Sequence, residues 1–145
     1  LGKSMIVVYF DDQCGLCSKE ISIYKDADKS KKFFWQGLSD PTLNLDREEF
    51  NLVAALERLH VKDVDGQVHV GVDAFIVIWK HLPRWRIISK VASIRPLHWI
   101  LSIGYGWFAK RRFRKLTHCQ IALKKMRSLQ EQGEATTINI NSHRP

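Results

Sequence analysis

Apolar positions change their period several times along the chain, and each change marks an element. Met5-Ile6-Val7-Val8-Tyr9-Phe10 is an unbroken apolar run, the pattern of a short central strand covered on both faces. After Asp11-Asp12 the spacing switches, with Cys17, Ile21 and Tyr24 at i, i+4 and i+7, which predicts a helix from about Cys14 to Ala27. A polar cluster over 26–32 ends it. Phe33-Phe34-Trp35-Gln36-Gly37-Leu38 then reads as a second strand running into a loop at Ser39-Asp40-Pro41. Asp46 and Glu49 make a capping box ahead of Phe50, Val53, Ala54 and Leu56, so the second helix is expected over Arg47 to Arg58. Asp65-Gly66, between His60-Val64 and Gln67-Val70, predicts a two-residue hairpin of type I′. Asp73 is placed to cap a helix from Ala74 to His81 that stops before Pro83. The resulting order is β-α-β-α-β-β-α, an α/β domain.

Beyond Pro83 the pattern becomes helical and basic. Trp85 to Ala92 predicts a short amphipathic helix broken at Arg95-Pro96, and Leu97 to Ala109 is apolar with Gly104 and Gly106 inside it. A run of about a dozen residues falls short of the roughly 20 that span a bilayer. Two readings stay open for it. It packs across the sheet and completes the core, or Trp99, Tyr105, Trp107 and Phe108 meet a membrane interface while Lys110 to Lys115 face anionic head groups. The organisation expected is one domain over 5–115 including this extension, a C-terminal helix over 116–130, and a polar tail over 131–145 that frays.

Composition narrows the class. The 145 residues, 45% apolar, suit one globular domain. No cationic segment followed by an apolar stretch opens the chain, so no export signal is expected and the cytoplasm is the predicted compartment. Three cysteines, an odd number, speak against a secreted disulfide scaffold. The net charge of +8 is unevenly spread. From Ala74 to Gln130 there are thirteen Lys and Arg and no Asp or Glu, whereas the rest of the chain is net acidic. Such a one-signed half attracts anionic partners, at the membrane periphery or on an acidic protein. Nucleic acid ranks last, because no recognition motif accompanies the charge.

Cys14 and Cys17 carry the candidate chemistry. They fall at a strand-to-helix junction, where the unpaired N–H groups of the first turn stabilise a thiolate. Cys14 is placed at the mouth of the turn as the nucleophile, and Cys17, one turn on, as the resolving thiol. Asp11 either caps the start of the helix or takes the Cys17 proton as that thiol attacks a mixed disulfide. The carboxylates of Asp11 and Asp12 oppose a thiolate beside them unless one is buried or turned away. Cys119 reads as a helix thiol. A zinc site with His118 is disfavoured because neighbouring helix positions point about 100° apart. No metal or cofactor is required.

Asp11-Asp12-Gln13-Cys14-Gly15-Leu16-Cys17 resembles the Asp-x-x-Cys-x-x-Cys signature of the DCC (DUF393) family of thiol-disulfide oxidoreductases, grouped with the thioredoxin-like proteins. Leu59 to Phe75 is similar to the family's hairpin and following helix, Ile78-Trp79 with Leu82-Pro83 to the helix end, and Tyr105 to Arg112, with Ala109 between, to its late Tyr- and Arg-containing segment. The likeness runs from about Met5 to Arg114. Asp12 and Gly15 stand where members often carry Gly and Pro, and no proline precedes the His60 strand, so the cis-proline of thioredoxins is missing.

Together these readings predict a thioredoxin-like domain with a helical, basic C-terminal extension, acting as a thiol-disulfide oxidoreductase through Cys14, Cys17 and Asp11. Its partners would be a protein or small-molecule disulfide and a separate thiol reductant or oxidant. The rival reading is a non-enzymatic thioredoxin-like module held to an anionic membrane surface or an acidic partner by its basic half.

Overall fold

The computed structural model describes residues 5–142, with side chains described for 5–135. Among these residues the chain is mixed α/β, with a four-stranded sheet and six α-helices. Strand β1 (Ile6–Phe10) leads into helix α1 (Gly15–Ala27), strand β2 (Phe33–Gly37), helix α2 (Leu52–Glu57), strands β3 (His60–Lys62) and β4 (Val68–Val70), and helix α3 (Val72–His81). A 3₁₀ turn at Pro83–Trp85 precedes helices α4 (Arg86–Ala92), α5 (Arg95–Lys115) and α6 (Thr117–Ser142). The sheet order is β2-β1-β3-β4. β1 runs parallel to β2 with Val8 opposite Trp35, and antiparallel to β3 with Val8 opposite Val61.

The unbroken apolar run of β1 follows from its central place, since alternate side chains enter different cores. Ile6, Val8 and Phe10 pack with Ile21, Tyr24, Val61 and Ile78 on one face. Val7 and Tyr9 join Leu56, Phe113, Cys119 and Leu123 on the other. The second face is therefore closed by α2 and the C-terminal helices. The stripe Gly106, Ala109 and Phe113 of α5 is buried, so part of the apolar run after Pro96 does complete the core.

Several local expectations are corrected. Helix α2 begins at Leu52 under an Asn51 cap, whose Oδ1 accepts the Ala54 N–H at 2.9 Å, and the Asp46/Glu49 box is not used. The preceding stretch is held elsewhere. Glu48 binds Lys62 Nζ at 3.0 Å, and the Phe50 ring packs edge-on to Tyr9. The hairpin is not type I′, because Gly66 (φ 83°) has positive φ and Asp65 does not. Asp63 Oδ1 accepts the N–H groups of Asp65 and Gln67 and shapes a three-residue loop instead. Asp73 does not cap α3. Gly71, at φ 66°, precedes the helix, and Asp73 pairs with His98 Nε2 at 2.7 Å. Pro96 opens α5 from its first turn, where its missing N–H costs nothing. Helix α6 continues through 131–142, the stretch read as a fraying tail; residues 143–145 of that tail lie outside the described residues.

Candidate functional site

Where β1 ends, the chain turns into α1, and the two aspartates diverge. Asp12 faces the loop after β2, where Ser39 donates to its carboxylate from both backbone and hydroxyl. Burial pushes this carboxyl up, but the Ser39 hydrogen bonds outweigh it and hold Asp12 below the usual range. A Cβ on Gly37 would stand 2.9 Å from that carboxylate, so a larger residue there would push Asp12 off its Ser39 partners. Asp12 is thus turned away from the sulfurs.

Asp11 is only 4% exposed and gathers donors from the far end of the chain. Arg112 Nη1 donates to it at 3.2 Å, His118 Nε2 lies 2.8 Å from Oδ2, and Cys119 Sγ lies 3.7 Å from the same oxygen. The Gln13 N–H also donates, at 3.2 Å, so the capping contact exists alongside the long-range ones. Arg112 spans further, binding the carbonyls of Leu56 at 2.6 Å and Glu57 at 3.1 Å.

Cys14 occupies the N-cap of α1, and its sulfur accepts the Cys17 N–H at 3.4 Å. The Arg112 cation lies close enough to interact electrostatically with both Cys14 and Cys17. Cys14 is buried at 4% exposure while Cys17 is half-buried, the reverse of the sequence expectation that Cys14 lies at the open mouth. The reason is the capping geometry, which folds the Cys14 side chain back over the first turn. Burial and the hydrogen bond with Cys14 push the Cys17 thiol up to about 12 against the pull of Arg112. Cys119 is also raised to about 12, by burial and then by the Asp11 charge. All three cysteines are free thiols. Cys17, Asp11 and Arg112 line a small cavity of about 40 Å³ whose other walls include Phe75, Tyr105 and Phe108. Larger surface grooves, such as one of about 740 Å³ along Leu43 to Ala54, lie away from the sulfurs.

Among the described residues, Asp11, His118 and Cys119 offer ligand atoms within 4.8 Å of one another. The expectation that adjacent helix positions cannot converge is corrected, because Asp11 sits between the two side chains. The Arg112 charge on Asp11 opposes a cation there.

Arg112, His118 and Cys119 were missing from the candidate site. Arg112 is hidden in a basic run, yet the buried phase of α5 through Ala109 and Phe113 singles it out as the cation facing inward. Tyr105 also faces inward, accepting the Leu59 N–H at 2.9 Å and lying 3.3 Å from where a Gly71 Cβ would be. It is therefore removed from any lipid-facing set.

No curated protein and no solved structure matches the chain. The family model that does match, over residues 8–118, takes in both sulfurs, Asp11, Arg112 and His118, and by that match the chain belongs to the DCC1-like thiol-disulfide oxidoreductase family.

Proposed function

We propose that the protein is a dithiol oxidoreductase in which Cys14 is the nucleophile, Cys17 the resolving thiol and Asp11 the proton acceptor. The Cys14 thiolate attacks one sulfur of a protein or small-molecule disulfide, forming a mixed disulfide and expelling the other sulfur as a thiolate. Cys17 then gives its proton to Asp11 and attacks the Cys14 sulfur. The Cys14–Cys17 bond forms, the second substrate thiol leaves, and the substrate has gained the two electrons the dithiol lost. A separate reductant restores the dithiol. The order of elements and the parallel β1–β2 pair flanked by an antiparallel hairpin suit a thioredoxin-like domain for this task.

The observation that carries the assignment is the N-cap position of Cys14, whose sulfur accepts the Cys17 N–H at 3.4 Å with the Arg112 cation nearby. Exposure argues for Cys17 as the attacking sulfur and proton affinity argues against it. Burial and the hydrogen bond with Cys14 raise the Cys17 thiol, so it is a poor source of thiolate at neutral pH. Proton affinity therefore outweighs exposure, and Cys14 is assigned the first attack. Gly15 has open space around its Cα, and Leu16 is exposed, so the outer side of the turn is free to yield.

Trapping separates the roles. Reduced Cys17→Ser, mixed with insulin whose disulfides are intact, should accumulate a mixed disulfide through Cys14 seen by mass, while Cys14→Ser should not give the wild-type reduction. Undiminished insulin reduction by Cys14→Ser, or failure of the wild type to lose two alkylatable thiols under mild oxidant, would remove the reading.

A further inference from the structure

We propose that the outer face of α4 and α5 docks the protein onto membrane surfaces that carry anionic lipid. On α5, residues advance about 100° each. While Gly106, Ala109 and Phe113 face the core, the flanking sector of the helix, about 100° wide, presents Trp99 (66% exposed), Ile103, Trp107 (65%) and Ile100. On the same side, one turn later, stand Lys110, Arg111 and Arg114. The face is therefore divided along the helix, apolar first and cationic after. Helix α4, packed on α5, adds Ile87 (74% exposed) and Val91, and the α5 N-cap adds Ile94.

Water-facing isoleucine and tryptophan in this number are unusual on a lone soluble surface and mark an interaction site. Charge identifies the partner. The cations of this half are not offset by any acidic residue from Ala74 to Gln130, so a second copy stacked face to face would be repelled. An anionic bilayer is attracted instead. Trp107 and Arg111 are stacked, the guanidinium 5.4 Å from the ring centre, an arrangement that holds an aromatic and a cation together at head-group depth. Around them Lys110, Arg114 and Lys115 complete a groove of about 380 Å³, room for a lipid phosphate. No described helix is long and apolar enough to cross a membrane, so docking is interfacial, with the apolar end of α5 at the acyl boundary and the basic end among the head groups.

The test is co-sedimentation of the full chain with vesicles of phosphatidylserine in phosphatidylcholine, against phosphatidylcholine alone. Binding is expected to the anionic vesicles and to fall steeply with added salt. Lys110→Ser with Arg114→Ser should weaken it about fivefold per cation removed, and Trp99→Ser with Trp107→Ser should also release the protein. None of these residues touches Asp11 or the sulfurs, so insulin reduction should be unchanged, and the outcome is independent of the catalytic reading. Equal or absent binding to both vesicle types overturns the proposal. So does loss of vesicle binding to inorganic phosphate with no dependence on Trp99 and Trp107, which would mark a free-anion site. A concentration-dependent dimer that Trp107→Ser dissolves, with no vesicle binding, overturns it in favour of self-association.

Discussion

Adjacent carboxylates at Asp11 and Asp12 leave β1 in opposite directions, one to Ser39 and the other to Arg112 and His118. Divergence of this kind leaves the sulfurs beside a carboxylate whose charge is already matched. The thiols themselves show what burial does to proton affinity. Cys17 and Cys119 are held up at about 12, while an unfolded cysteine ionises near ~8.5. Folding therefore prefers their protonated form. The stabilisation is complete below about pH 8.5 and is lost as pH rises toward the folded values. The urea midpoint of the reduced protein should decline from about pH 9 upward, before tyrosines ionise, and less so in Cys119→Ala. A midpoint flat from about pH 9 to 10, or an unaltered slope in the variant, would contradict the burial account.

At the scale of elements, what the sequence discloses depends on how local the cause is. β1 and α1 were legible because an apolar run and an i, i+4, i+7 spacing are properties of consecutive residues. The hairpin position was legible from Asp65-Gly66, but its type was not, because Asp63 supplies side-chain bonds that a dipeptide rule ignores. Helix α2 was misplaced because two caps compete in sequence and tertiary partners choose between them. Glu48 and Phe50 are committed to Lys62 and Tyr9, so Asn51 starts the helix. Asn51→Ala should cost about 1 kcal/mol of stability, and Asp46→Ala close to nothing, both read from urea unfolding. Reversal of that order would restore the longer helix. The two cysteines were readable for the same local reason as α1. Arg112, His118 and Cys119 were not, because they meet Asp11 across 101 to 108 residues of chain, and periodicity carries no register at that distance.

At the scale of the molecule, the basic C-terminal half does two jobs on two sides of one helix. Its inner side seals the second face of the sheet and clamps the site. Its outer side is left to solvent. Arg112 is the clamp, joining α5 to the end of β1 through Asp11 and to the end of α2 through the Leu56 and Glu57 carbonyls. Both members of the ion pair are shielded from water, so deleting one removes the main compensating charge of the other. Arg112→Met should cost about 3–5 kcal/mol, chiefly because the Asp11 carboxylate is left buried without its guanidinium. Asp11→Asn in the same chain should recover part of that loss, and the shortfall from additivity in a double-mutant cycle measures the coupling. The same Arg112→Met change should slow insulin reduction, since the guanidinium also faces Cys14. A cost below about 1 kcal/mol, or full additivity with Asp11→Asn, would mean that α5 is held by its apolar stripe alone and that the site and the extension are mechanically separate.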